Sequence, residues 1–241
     1  MKEIFQHSFL LHTFPYRESS IFLDCFTNLK GRVRLLAKGV RTNKCSILRG
    51  ILQPFTPLII YWKDSSNSNR YNNIKILSQA ESVSIRLPLN GVMLYSGLYI
   101  NELLNRVLFY DIPYVNLFTK YTQCLSLLAS SMDSPEPILR HFEFILLKEI
   151  GYGIDFLHCA NSGERIKKTM IYRYCNEKGF VTSLVYDKYS FTGSEIQSMA
   201  LREFDKPDIL RAAKRFTRIA LKPYIGKNPI KSKELFSYFF K

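Results

Sequence analysis

Gly31-Arg-Val-Arg-Leu-Leu-Ala-Lys38 decides how the first half of the chain is read. Successive side chains of a strand point to opposite faces. Val33, Leu35 and Ala37 therefore share one face, and Arg32, Arg34 and Lys38 share the other. The apolar row asks for a core; the basic row asks for water or a polyanion. Outward from this segment, Phe9-Leu10-Leu11, Ser20-Ile21-Phe22-Leu23 and Leu58-Ile59-Ile60-Tyr61 are short, rich in β-branched or aromatic residues and bounded by turn formers. Pro54 and Pro57 confine the strand after them to an edge or to its start. Asp64 to Asn69 is a polar tip, and Ile74 to Ala80 returns as a strand. Five short strands at this spacing predict a small barrel or sandwich.

Beyond Pro88 the period changes. Val92, Leu94, Tyr95, Leu98, Tyr99, Leu103 and Val107 follow helical spacing. Further helices are expected over Pro113 to Ala129 and over Pro137 to Ile150, the latter stopped by Gly151 and Gly153. Residues 152–192 read as an irregular segment with short aromatic stretches. A last long helix is expected from Asp205, as cap, to Lys222 before Pro223, and a shorter one near Lys231 to Phe239. The fold class is therefore α+β, with a β-domain over residues 1–82 and a mainly helical domain over 83–241.

The chain holds 34 Lys and Arg against 20 Asp and Glu, a net charge of +14 over 241 residues. A polyanion is the partner that such a balance predicts. Between Cys25 and Lys63 there is no acidic residue, while Lys30, Arg32, Arg34, Lys38, Arg41, Lys44 and Arg49 crowd together. Cations repeating at about 7 Å along a strand suit a phosphate backbone. Nothing in the row distinguishes one base from another, so binding by charge and stacking is expected rather than base readout. Phe26, Phe55, Tyr61 and Trp62 could stack on bases, although strand packing is the commoner use of such residues. In the last helix Arg211, Arg215, Arg218 and Lys222 form one stripe, opposite an apolar stripe of Ile209, Ala213, Phe216 and Ala220. That helix lacks the Trp/Leu-rich face of a membrane-surface anchor.

Catalytic constellations are missing from the sequence. Gly226-Lys227 lacks the upstream glycine of a phosphate-binding loop, and no Gly-x-Ser-x-Gly or His-Glu-x-x-His motif occurs. A metal-dependent nuclease, the alternative reading, needs clustered carboxylates, and these are dispersed. No run of 18 apolar residues and no leader-like N-terminus is present, and five scattered cysteines make a poor disulfide framework. A cytoplasmic, non-catalytic nucleic-acid-binding protein without cofactor is expected. Cys159 and Cys175 are the remnants of a zinc-knuckle pattern, with Ser162 and Lys178 where further ligands would stand.

As a whole the sequence resembles the RecO family of bacterial recombination mediators, in the form found in γ-proteobacteria. The resemblance rests on Gly31 to Gly39, Leu52-Gln-Pro-Phe-Thr-Pro-Leu58, Leu94 to Leu104, Pro135-Glu-Pro137, Gly151-Tyr-Gly153 and Leu210 to Arg218, in that order along the chain. It implies an N-terminal OB-fold, binding of single- and double-stranded DNA, and annealing of complementary strands. It also implies action with RecR to load RecA on strands covered by single-stranded DNA-binding protein (SSB). Many members hold zinc with four cysteines; two remain here, so zinc is not expected. SSB ends in an acidic tail closing with Phe, and a basic residue beside an apolar groove would suit it. Arg140, in Pro137-Ile-Leu-Arg-His-Phe142, is the candidate for that contact.

Overall fold

The computed structural model describes residues 4–42, 46–63, 75–232 and 234–235. Packing divides the chain into two compact units: Met1–Ser131 with Asn228–Lys241, and Met132–Lys227.

In the first unit β1 (Ile4–Tyr16), β2 (Ser20–Thr27), β3 (Gly31–Ala37), β4 (Leu58–Lys63) and β5 (Lys75–Ser82) close a barrel in the order β1-β2-β3-β5-β4. Of the barrel or sandwich that the strand spacing predicts, the chain forms the barrel, consistent with the OB-fold that the resemblance implies. The long β1 serves two neighbours. Ile4 to Ser8 pair with β4, and Ser8 to Tyr16 pair with β2. The register slips between Leu10 and His12, a bulge that bends the strand from one partner to the other. Antiparallel ladders make up the ring except where β3 meets β5 in parallel, at Leu35↔Lys75 and Leu36↔Ile76.

The parity of β3 is as the sequence sets it. Val33, Leu35 and Ala37 are buried with Leu10, Leu23, Leu58, Ile60 and Trp62 inside the barrel. Each buried Val, Leu or Ile among them contributes about 1.5–3 kcal/mol of burial. A short helix, α1 (Ser46–Ile51), has no counterpart in the sequence reading; its Leu48 and Ile51 pack on the same core. Phe26, Phe55 and Trp62 are buried, which removes them as base-stacking candidates and leaves Tyr61 half-buried.

Helices α2 (Gly91–Val107) and α3 (Val115–Ser130) belong to this unit. Buried Asn101 ties α2 to the barrel by donating to the Leu10 carbonyl at 3.3 Å, and it accepts from the Tyr121 hydroxyl at 2.6 Å. Gly97 permits the close approach of α2, since a Cβ there would stand 2.9 Å from the Phe55 ring.

The second unit holds α4 (Glu136–Glu149), strands β6 (Ile171–Cys175), β7 (Gly179–Thr182) and β8 (Ser190–Thr192), then α5 (Gly193–Ala200) and α6 (Pro207–Ile225). The segment expected to be irregular is thus a three-stranded sheet in the order β7-β6-β8. Tyr172 and Tyr174 of β6 face inward and Arg173 outward. The expected stripe of α6 is buried: Ile209, Ala213, Phe216 and Ala220. Phe216 is the hub, with the rings of Phe144, Phe156, Tyr174, Phe180 and Phe191 centred 4.9–6.0 Å away. The ends of α6 differ from expectation. Lys206, not Asp205, is the N-cap residue, and the helix runs past Pro223 to a C-cap at Gly226 with φ +80°. Proline this close to the end forfeits one backbone hydrogen bond and leaves little helix beyond to disrupt.

The polar tip Asp64 to Asn69, Ile74 and Lys44 lie outside the described residues. So do 233 and 236–239 of the expected C-terminal helix, of which Ser232, Glu234 and Leu235 are helical. Among the described residues no helix is long and apolar enough to cross a membrane.

Candidate nucleic-acid interface

The β2–β3 hairpin builds the site. Thr27 ties the turn by donating its hydroxyl to the Gly31 carbonyl at 2.9 Å and accepting from the Lys30 N–H at 3.2 Å. Gly31 has φ +64°, and a Cβ there would fall 1.8 Å from the Ile112 carbonyl oxygen, so only glycine fits. The turn fixes the register, and the register sets Asp24 of β2 opposite Arg34 of β3, with His12 of β1 beyond Asp24.

Asp24 is fully buried. Arg34 grips it with two hydrogen bonds, Nε to Oδ1 at 2.7 Å and Nη2 to Oδ2 at 2.8 Å. Arg32 adds a third, Nη2 to Oδ2 at 3.0 Å. Tyr110, from the α2–α3 turn, accepts from Arg32 Nη2 at 2.6 Å and lays its ring 4.0 Å under that guanidinium. Its hydroxyl donates to Asp24 at 3.2 Å, and the Leu108 carbonyl accepts from Arg32 Nη1 at the same distance. Burial alone would raise the Asp24 pKa. The hydrogen bonds and charges of Arg34 and Arg32 overcome it and hold the carboxyl below its ordinary value. Arg34 is pushed further up by the same pairing.

The outer face of β3 is therefore graded rather than uniformly basic. Arg32, with a side chain 10% exposed, is a buried member of the cluster, and Arg34, at 37%, is half out. Lys30, Lys38, Arg41 and Arg49 are exposed. Among the described residues no carboxylate pairs with any of these four. Arg41 donates to the Arg17 carbonyl at 2.9 Å, and Arg49 to the Thr42 carbonyl at 3.3 Å. Two guanidiniums on one carboxylate keep a net positive charge, so the row remains cationic along its length. The expectation of an acid-free face needs one correction: Asp24, immediately before the acid-free stretch in sequence, folds beneath it.

The α6 stripe splits in a similar way. Arg211, Arg218 and Lys222 are exposed. Arg215 is partly buried, donates to the Ser190 carbonyl at 3.0 Å, lies 3.4 Å from Glu195 and stacks 4.5 Å from the Phe191 centroid. Arg140 is the largest departure from expectation. It is 4% exposed, ion-paired to buried Glu143 at 2.5 Å and within 3.4 Å of the Thr217 hydroxyl. Its guanidinium faces the interior of the second unit, not a surface groove.

The Cys159 thiol is already engaged within its own turn. Cys159 is buried and donates its thiol to Asn161 Oδ1 at 2.7 Å, and Asn161 in turn donates to the Thr182 hydroxyl at 3.1 Å. An asparagine thus links the turn after Cys159 to the end of β7. Among the described residues no group of three or more His, Cys, Asp or Glu is arranged to hold a metal ion.

Two residues of the site carry no signal in the acid-free stretch: Asp24, legible only through hairpin register, and Tyr110, brought in from 86 residues beyond Asp24 in the sequence. Comparison with known proteins agrees with this architecture. The family described as Recombination protein O N terminal matches residues 1–85, and Recombination protein O C terminal matches residues 88–234. The DNA repair protein RecO of Sodalis glossinidius is 55% identical over 234 residues, covering 97% of this chain and 87% of the relative. That of Proteus mirabilis is 54% identical over 237 residues, covering 98% and 94%, and that of Yersinia pestis 55% over 234, covering 97% and 94%. With a closed five-stranded barrel, a mainly helical remainder that includes one small sheet, and this extent of identity, the chain belongs to the RecO family of DNA repair proteins.

Proposed function

We propose that the protein binds DNA without catalysis, anneals complementary single strands and, with RecR, promotes RecA loading on SSB-coated DNA during recombinational repair in the bacterial cytoplasm. The observation that carries this reading is the exposed cationic row of the barrel, Lys30, Lys38, Arg41 and Arg49 around the clamped Arg34 and Arg32. Lys44 extends it in sequence. Phosphates meet these side chains, and residues 1–82 act as the DNA-binding domain. Arg211, Arg218 and Lys222 offer a second track, while Arg215 positions α6 against Phe191 and Glu195. For the acidic SSB tail, Arg140 serves only if its pair with Glu143 opens, which leaves the buried Glu143 carboxylate without its counter-charge and makes this the costliest of the proposed contacts.

The test is annealing of SSB-coated oligonucleotides in the absence of nucleotide, with and without the acidic SSB tail, alongside single-strand affinity as a function of salt. Six phosphate contacts give a log–log slope of about −4, from about −0.7 per contact. Reversing Lys30, Lys38 and Arg41 to Glu is expected to abolish most of the affinity and flatten the slope. A folded triple variant with unchanged affinity overturns the placement, and annealing that ignores the tail overturns the SSB contact.

A further inference from the structure

We propose that the outer face of the barrel between Phe14 and Tyr110 is a stacking platform for unpaired nucleobases, completed by the α2–α3 turn, so that single strands are held by their bases as well as their phosphates. This rests on the DNA-binding reading above and deepens it. Four planar groups alternate along the face. The Arg34 guanidinium lies 5.2 Å from the Phe14 centroid and 5.3 Å from that of Tyr110, and that of Arg32 lies 4.0 Å from Tyr110. His12 extends the series, 4.3 Å from Phe14. Phe14 and Tyr110 remain 38% and 40% exposed, so each offers part of a ring to solvent.

The platform is rigid before any strand arrives. Asp24 pins both guanidiniums from beneath. The turn that carries Tyr110 is strapped to β3: Asp111 N–H donates to the Arg32 carbonyl at 2.8 Å, Asp111 pairs with Lys75, and the Ile112 carbonyl sits against Gly31. Side chains already fixed lose little entropy on binding. The cations at either end, Lys30 at one and Lys38, Arg41 and Arg17 at the other, are exposed and placed for phosphates flanking a stacked base. Base–aromatic stacking tolerates every sequence because every base has a flat face, and arginine adds a cation–π component. A paired duplex already uses those faces on itself, so the platform favours single strands, as an annealing protein requires of the strands it receives.

The full chain is titrated at fixed salt with a single-stranded oligonucleotide, with a strand of equal length and charge carrying abasic sites at its centre, and with a duplex. Phe14→Leu, Tyr110→Leu and Tyr110→Phe are compared after circular dichroism shows each folded. Each stacked base is expected to be worth about 5- to 150-fold in affinity. The abasic strand should bind the unaltered protein more weakly by that order. Phe14→Leu should lose single-strand affinity while duplex affinity moves less than about 2-fold and the salt slope stays fixed; Tyr110→Leu should lose single-strand affinity too, and Tyr110→Phe, which keeps the ring, should lose less. Equal binding of abasic and natural strands overturns the platform and leaves this face to a partner protein. If Lys38→Glu and Arg41→Glu weaken binding while the leucine variants do not, the platform fails and the DNA-binding reading stands. If neither set matters, that reading fails too.

Discussion

Strand β3 and helix α6 each carry a basic row, and each gives up a central arginine to a carboxylate from a neighbouring element. The two exchanges differ in depth. Asp24 is wholly buried and gripped at 2.7 and 2.8 Å by a guanidinium fork. Glu195 lies 3.4 Å from Arg215, with side chains 20% and 32% exposed. A buried charge must be paired and hydrogen-bonded to persist, whereas an exposed pair is screened and weak. Asp24 is therefore a structural pin for the barrel face, and Glu195 only steers a side chain. The distribution of charge follows the same contrast: the first unit holds 18 Lys and Arg against 8 Asp and Glu, the second 16 against 12. The barrel unit is where a polyanion finds the greater excess.

The largest effect expected from breaking this contrast is Asp24→Asn. It leaves Arg32 and Arg34 side by side without a counter-charge, at a cost of about 3–5 kcal/mol in a urea unfolding midpoint with m unchanged. A cost below about 1 kcal/mol would make the two rows equivalent. Acid separates them next. The folded-state pKa of Asp24 lies below its unfolded value, so its stabilisation is complete above about pH 4 and is lost as pH falls through the folded value. The gap between the unaltered protein and Asp24→Asn should accordingly narrow on acidification in the same urea assay. The smallest effect belongs to α6. A double-mutant cycle on Arg215 and Glu195 should return a coupling of about 0.2–1 kcal/mol, well under that for Arg34 and Asp24.

The barrel is legible in the sequence because its strands alternate cleanly, as Val33, Leu35 and Ala37 show. The α2, α3 and α4 helices are legible from apolar spacing, and the inward stripe of α6 likewise. What escapes is what depends on partners distant in sequence. A row of cations does not reveal the acid that a hairpin register will set opposite it, although counting back from the Thr27↔Gly31 pair leads to Asp24↔Arg34. Arg140 reads as exposed because helical spacing alone does not say which face meets α6. The β6–β8 sheet stays hidden because strands of three to five residues are too short for a period to declare itself. Even there Tyr172-Arg173-Tyr174 alternates. Helix α5 does carry a signal: Thr192 and Glu195 are spaced as a capping box, and both reciprocal hydrogen bonds form, at 3.2 and 2.8 Å.

Seven antiparallel pairs, from Ile21↔Ala37 to Thr27↔Gly31, join β2 to β3. The basic face rides on this hairpin, so its geometry is set by one continuous ladder. The amides locked in that ladder are expected to be slow to trade their hydrogens with water, and the face keeps its shape for as long as they do.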